Sequence, residues 1–484
     1  VVVWSRIRRR NLRHYADAVV KMNPVIIGQV TLYHADCIEV MAGLAENSLD
    51  AIICDPPYLI NFMNKGFDTQ HKSLPGANEG QKMQEWHRRW VTEAYRILKP
   101  GGHLVAFGGD RTHHRLMSAM EDVGFELRFN CYWVFGSGFP KSQNASIAID
   151  QHFGMKDQRE VVDSYMHGGT RSGGIKGNNI GQVLHNITKP YHPLAKQWSG
   201  YGTALKPSVE PICVGRKPMI GTLAENLLTW GCGAMNLDAC RVEIDDSWTR
   251  SAQGDMPSGK TGVYGARQRV DQGATGRFPP HLLHDGSSVV KKCFPDTLRS
   301  TIGVRDPNGT LGYHGGASGL PGVVSGYTDS GSASRFFPSL PYDEEDCATL
   351  FYCSKASRTD RNEGCELMEE KNPWDRNCVS KALEGLGSLS KPRQNNHVSV
   401  KPTNLMRWLC RLLTPKGGTL LDPFMGSGST LKAAVLENFS CIGIERDEDY
   451  FAIAEARVAH VSPDIVEVKR TERSVPMKQQ ASLF

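Results

Sequence analysis

The sequence predicts an α/β fold: a sheet of mostly parallel strands with helices on both faces, one antiparallel edge strand and a large loop-rich insertion. Three observations predict it. Residues 26–135 alternate strand-like and helix-like periods, the same grammar returns at 400–460, and the rhythm is lost in between. A β-α-β alternation is what a parallel sheet covered by helices requires.

Taken in order, Thr31–His34 reads as a short strand ending at Ala35-Asp36-Cys37, and Ile38–Leu44 as a helix. Leu49–Cys54 is the next strand. Trp86, Trp90, Ala94 and Ile97 have helical spacing, and Lys99-Pro100-Gly101-Gly102 breaks that helix. His103–Phe107 is a strand, Leu116, Ala119, Met120 and Val123 mark a helix, and Phe129–Phe135 is another strand. In the second block Leu405, Trp408, Leu409, Leu412 and Leu413 follow the apolar rule of an amphipathic helix. Pro415-Lys416-Gly417-Gly418 ends it, and a strand leads into Asp422. Leu431–Leu436 is a helix, Cys441–Ile444 a strand ending at Glu445, and Tyr450–Val458 a closing helix. Between the blocks, 164–203 and 300–335 are rich in Gly, Ser and aromatics. Long irregular stretches of that kind are usually functional or disordered. One strand there, Pro211–Val214, is expected to return to the sheet as its antiparallel edge.

The organisation that follows is a basic start over 1–21, a first half over 22–140, an insertion over 141–395 with its returning strand near 206–216, a second half over 396–462, and a polar, frayed tail over 463–484. The start carries Arg6, Arg8, Arg9, Arg10 and Arg13 without the apolar core of a signal peptide. A frayed or over-extended segment is the expectation, ahead of a basic arm for phosphates.

Composition sets wide bounds. The 484 residues allow roughly two to four domains, and 40 % hydrophobic residues provide for a proper core. A net charge of +5 permits a nucleic-acid partner without demanding one. No two of the 13 cysteines have the C-x-x-C spacing of zinc or redox sites, a pattern that fits a reducing cytoplasm. No apolar stretch reaches the length of a membrane span.

Two short segments carry the chemistry. Asp55-Pro56-Pro57-Tyr58 and Asp422-Pro423-Phe424-Met425-Gly426-Ser427-Gly428-Ser429-Thr430 each follow a buried-strand pattern. Each therefore sits at a strand's carboxyl end, where open α/β sheets bind ligands. The exocyclic amino nitrogens of adenine and cytosine are poor nucleophiles, because their lone pair is delocalised into the ring. Acceptors that grip the amino hydrogens draw the lone pair back onto nitrogen. Asp55 supplies a carboxylate and Pro56 a carbonyl for this, and two prolines stiffen the turn. Tyr58 offers a π-face to a base taken out of the duplex. A covalent route through a Pro-Cys nucleophile is closed, since the chain has no such dipeptide. The plain alternative is a strand-ending turn.

In the second segment Gly426 and Gly428 allow close approach to a ligand. A P-loop would need Lys before Ser429-Thr430, and a dinucleotide fingerprint would need a third glycine where Leu431 stands. A structural glycine turn is what remains against a nucleoside-cofactor site. Glu445, at the next strand end, suits ribose hydroxyls, and Asp36 suits an adenine amino group, though each alone also reads as a helix cap. His113-His114 and His284-Asp285 are read as structural, so no metal is expected.

These residues resemble the β group of amino-methylating DNA methyltransferases, the adenine-N6/cytosine-N4 family dependent on S-adenosylmethionine. The resemblance covers about 26–135 and 395–460 and includes the permuted order, with the catalytic motif before the cofactor motif. It implies a Rossmann-like methyltransferase sheet, with catalytic Asp55, Pro56, Pro57 and Tyr58. It implies S-adenosylmethionine at Asp36, Asp422, Pro423, Phe424, Gly426, Gly428, Ser429, Thr430 and Glu445. His397-Val398-Ser399-Val400-Lys401-Pro402 is similar to the family's His-Pro-x-x-Lys-Pro segment, with Val398 in place of proline, and puts Lys401 on the cofactor side. The aspartate of the catalytic motif leans to adenine N6, with cytosine N4 the alternative. A protein-glutamine or RNA-base methylase and a silent DNA-binding protein on the same fold are the more distant readings. Gly202–Pro207 and Phe351–Ala356 are more loosely similar to large-insert phage and prophage members. The implied partner is double-stranded DNA in a bacterial or phage-infected cytoplasm, with 141–395 reading the site. A homodimer is compatible with this, and a restriction-enzyme partner is left unspecified.

Overall fold

The computed structural model describes residues 24–60, 68–136, 142–167, 183–242, 276–297, 331–340, 356–371, 393–397, 399–462 and 469–470. The expectations for 1–21, for most of 300–335, for 351–355 and for nearly all of the tail fall outside them.

In chain order the first block runs β1 (Val25–Ile27), β2 (Val30–His34), α1 (Cys37–Gly43), β3 (Leu49–Cys54), α2 (Glu79–Ile97), β4 (Leu98–Phe107), α3 (His113–Val123) and β5 (Glu126–Val134). The insertion holds α4 (Ala145–His152), the hairpin β6 (Val161–His167) and β7 (Val183–Thr188), α5 (Pro193–Gln197), β8 (Val209–Arg216) and α6 (Leu223–Trp230). It continues with β9 (Leu282–His284), α7 (Ser288–Lys291), the ladder β10 (Asp296–Thr297) and β11 (Gly331–Ser332), and α8 (Arg358–Asn362). The second block is α9 (Thr403–Leu413), β12 (Thr419–Asp422), α10 (Ser429–Leu436), β13 (Ser440–Glu445), α11 (Glu448–His460) and β14 (Lys469–Arg470).

Ten of these strands form one sheet in the order β14-β1-β2-β13-β12-β3-β4-β8-β5-β9. All six residues of β3 are buried, as a strand covered on both faces must be. Alternation sorts them: Ala51 and Ile53 pack with Leu405 and Leu409 of α9, and Ile52 and Cys54 with Trp90, Val91 and Ala94 of α2. Asn78 caps α2 by accepting from the Gln81 N–H, and α3 ends at Gly124 in the left-handed region at φ 111°. Buried Asp50 fastens three strands, accepting from Lys99 Nζ at 2.6 Å and from the Thr419 N–H at 2.7 Å.

The structure corrects two expectations. The returning strand, β8, is antiparallel to both neighbours but is not an edge: it lies between β4 and β5. Burial from Glu210 to Gly215 agrees with pairing on both sides. Antiparallel pairing also occurs at the other end, where β1 runs against β2 and β14. That second pairing corrects the tail as well, because Lys469–Arg470 forms a sheet strand. The break at Lys99–Gly102 is absorbed in β4, with a register shift opposite Leu49–Ala51.

Candidate active site

β3 and β12 are parallel neighbours, with Leu420 opposite Ala51 and Leu421 opposite Ile52. Asp55 and Asp422 therefore leave adjacent strand ends. From β3 the chain passes through α2 to β4 on one side, and from β12 through α10 to β13 on the other. That is a topological switch point, where an open α/β sheet leaves a crevice. A cavity of about 1760 Å³ opens there, lined by Asp36, Asp55, Pro56, Pro57, Tyr58, Lys401, Asp422, Pro423, Phe424, Gly426, Ser429, Thr430 and Glu445.

The Asp55 turn is held from several sides. Leu59, buried directly after it, has φ 58°, a strained value for a branched side chain. Its N–H donates to Asp68 Oδ1 at 2.6 Å, and Thr112 Oγ1 donates to the Tyr58 carbonyl at 2.9 Å. A Cβ on Gly109 would lie 3.2 Å from Tyr58 Cβ, so the neighbouring loop also backs the ring closely.

Lys401 sits at the centre of the polar contacts. Its side chain is only 3 % exposed, and Nζ donates to Asp55 Oδ2 at 2.6 Å and Tyr58 Oη at 3.2 Å. Glu210 Oε1, on β8, lies 3.5 Å from the same ammonium and accepts from Tyr58 Oη at 2.5 Å. Burial works to lower the Lys401 pKa, but the carboxylates of Asp55 and Glu210 outweigh it and raise it. Burial and the same two carboxylates push the Tyr58 phenol up, so it stays protonated and donates. Ser399 Oγ adds a 3.3 Å contact to Asp55 Oδ2. One oxygen of Asp55 is thus occupied, while Oδ1 is buried without a partner among the described residues. A buried acceptor left open beside a cavity points to a donor that arrives from outside.

On the other wall, Gly426 (φ 50°) and Gly428 (φ 75°) occupy the left-handed region. A Cβ at Gly426 would lie 2.6 Å from His397 Nε2, so glycine is required there by space as well as by backbone. Gly428 does not line the cavity; it starts α10 against Ala454. Glu445 accepts from the Gly426 N–H at 3.0 Å and the Asp447 N–H at 2.7 Å. Asp36 caps α1 by accepting from the Ile38 N–H at 2.9 Å. Phe424 packs edge-on to Trp90 and beside Trp86, which gives the cavity an aromatic side. Burial and the cations Arg361 and Lys401 lower the His397 pKa to about 3, so this ring is neutral.

Burial pushes the Asp422 carboxyl from 3.8 up to about 7. A folded-state pKa above the unfolded one favours the protonated form. Its stabilisation is complete in acid and is lost as pH rises through about 7. Asp422→Asn should remove that loss, leaving the ligand-free variant roughly 2–4 kcal/mol more stable than the parent near pH 8. Thermal unfolding at about pH 5 and about pH 8 checks this: the gap between parent and variant must open at the higher pH.

Several residues of the site escaped the sequence reading. Glu210 is 4 % exposed and precedes the apolar run Pro211–Val214 of the same strand, and that oddity was the available signal. Arg457, fully buried on α11, donates to the Ser427 carbonyl at 2.8 Å and to that of Asp360 at 2.9 Å. Asp360, on α8, also accepts from Lys432 Nζ at 2.9 Å and from the N–H and hydroxyl of Thr403. Burial opposes ionisation of Asp360, but Lys432 and Arg457 hold its carboxyl below the usual range. No signal in the sequence links Asp360 to the glycine turn. Among the described residues no group of three His, Cys, Asp or Glu is placed to hold a metal, and no helix is long and apolar enough to cross a membrane. Asp285 accepts from the Gly136 and Ser287 N–H groups, while His113 faces backbone carbonyls.

A parallel sheet with an acidic Pro-Pro-Tyr turn and a glycine turn sharing its switch point defines the Rossmann-like methyltransferase class. The sequence profile described as "DNA methylase" (N6_N4_Mtase) matches residues 49–201 and 339–456, more than half of the chain, and the chain belongs to that family. It is 26 % identical over 235 residues to the type II methyltransferase M.HindIII of Haemophilus influenzae, covering 42 % of this chain and 64 % of the relative. Over 92 residues it is 36 % identical to the putative methylase YubD of Escherichia coli, covering 19 % and 37 %. The chain thus spans less than two thirds of either relative. A solved structure from Thermus thermophilus, described as a putative DNA modification methylase, aligns over 90 % of this chain and 96 % of its own, at 14 % identity and a TM-score of 0.37.

Proposed function

We propose that this chain transfers a methyl group from S-adenosylmethionine to the exocyclic amino group of a base flipped out of double-stranded DNA, with adenine N6 the preferred target. The observation that carries this is the single cavity that the Asp55-Pro56-Pro57-Tyr58 turn shares with the glycine turn. Asp55 and the Pro56 carbonyl accept the two amino hydrogens and favour a pyramidal nitrogen. Lys401 holds the Asp55 carboxylate through Oδ2 and leaves Oδ1 for the amino group. Tyr58 lies across the base, its hydroxyl tethered to Glu210.

The other wall fits the cofactor. Asp422, Glu445 and Asp36 offer carboxyl groups along a cleft that Gly426 keeps open, and each carboxylate oxygen accepting one N–H retains capacity for a hydroxyl or amino donor. When bound, S-adenosylmethionine supplies the electrophilic methyl group. Prior alignment of the amino nitrogen by Asp55 accounts for much of the rate. The segment between the two halves would read the DNA sequence, and the free cysteines fit a reducing cytoplasm.

The test is direct. The purified chain is incubated with tritiated S-adenosylmethionine and unmethylated genomic duplex, and the DNA is digested to nucleosides. Label in N6-methyladenine is expected. Label in N4-methylcytosine would change the target base, and no label from folded protein would end the proposal.

A further inference from the structure

One wall of the cavity comes from the insertion, in the stretch Thr203-Ala204-Leu205-Lys206-Pro207. Both ends of this stretch are fixed. The Thr203 N–H donates to Ser142 Oγ at 2.9 Å, and Thr203 Oγ1 accepts from the Gln143 N–H at 2.9 Å. Beyond Leu205, Lys206 Nζ donates to the Gly136 carbonyl at 2.6 Å, and the Phe135 N–H donates to the Ser208 carbonyl at 2.9 Å. Between these anchors Leu205 is 92 % exposed, although it lines the cavity that contains Asp55.

An exposed leucine is ordinary on a protein surface. An anchored one on the wall of the cavity that contains Asp55 is not, because the loop holds it in water instead of folding it inward. Its neighbours in the sequence are apolar and basic. Trp198 (44 % exposed) and Tyr201 (59 %) pack edge to face with ring centroids 5.0 Å apart. Lys196 and Lys206 belong to the same stretch, and no Asp or Glu occurs from Tyr191 to Ser208. The stretch matches a stacked, polyanionic partner, and from Thr203 onward its residues line the cavity.

We propose that Leu205 is the wedge that enters the DNA duplex where the target base leaves it, while Trp198, Tyr201 and the two lysines dock the flanking backbone. The inference rests on the methyltransferase reading above. An apolar side chain filling the vacated step offsets the unstacking that flipping requires. Leu205 is exposed, so replacing it leaves the fold intact.

The experiment uses the duplex site found by sequencing methylated DNA from cells expressing the chain. It is prepared in two forms: with the target base normally paired, and with an abasic position opposite it. Leu205→Ala should lower kcat/KM on the paired duplex by about tenfold or more, and by no more than about twofold on the abasic one, where the base is already unpaired. Leu205→Met should retain activity on both. With 2-aminopurine at the target position, the fluorescence rise on binding should shrink for Leu205→Ala. Equal losses on the two duplexes, or no loss on either, would overturn the wedge assignment while leaving the methyltransferase reading in place. A parent chain that methylates neither duplex would remove both.

Discussion

Asp55→Asn is expected to lower kcat by roughly 10³-fold while changing S-adenosylmethionine affinity by no more than about twofold. The substitution is isosteric, and the amide oxygen can still accept from Lys401, which holds Oδ2 at 2.6 Å in the parent. The amide nitrogen then takes the position of Oδ1, the buried atom with no partner among the described residues. An N–H₂ there presents donors to the donors of the incoming amino group. The acceptor that should sharpen the nitrogen lone pair becomes a repulsive contact, and the loss falls on the chemical step. Tritiated-methyl transfer gives kcat, and calorimetric titration with S-adenosylmethionine gives the affinity. An Asn variant with parental kcat would remove Asp55 from the mechanism. A variant that lost cofactor binding instead would place Asp55 on the other wall.

Lys401→Met carries the second large effect. The ammonium is 2.6 Å from Asp55 and 3.5 Å from Glu210. Removing it leaves two carboxylates facing each other in a buried site. Breaking a buried ion pair from one side costs about 3–5 kcal/mol, so the denaturation midpoint should fall accordingly. The same substitution frees the Asp55 carboxylate to turn, so kcat should fall as well, by about tenfold or more. Adding Glu210→Gln to Lys401→Met should restore part of both stability and rate, since one of the two like charges is gone. A Lys401→Met variant with parental stability and kcat would show that Lys401 does not hold Asp55 in place.

Much of this architecture was legible because it is written in local patterns. Mostly apolar runs of three to six residues at 49–54, 103–107 and 419–421, each followed by a turn or helix signal, locate the parallel strands and their ligand-bearing ends. The pairing of Asp55 with the glycine turn was expected from strand-end position, and the two segments line one cavity. What could not be read was which strands lie side by side. Val209–Arg216 has the same composition whether it closes an edge or fills a gap, and only its pairing with β4 and β5 decides. Lys401 was assigned to the cofactor wall by motif, but its ammonium faces Asp55, because the group that draws it there, Glu210, is 191 positions away. Asp360 escaped for the same reason: its cations, Lys432 and Arg457, are 72 and 97 positions distant.

Because β8 is threaded between β4 and β5, excising the whole stretch between the two motif-bearing halves would pull a plank from the middle of the sheet and take Glu210 with it. Exchange of segments within the insertion would therefore have to spare Val209–Arg216, as well as Leu282–His284 and Asp360, and crossovers inside Val209–Arg216 should yield chains that never assemble a working centre.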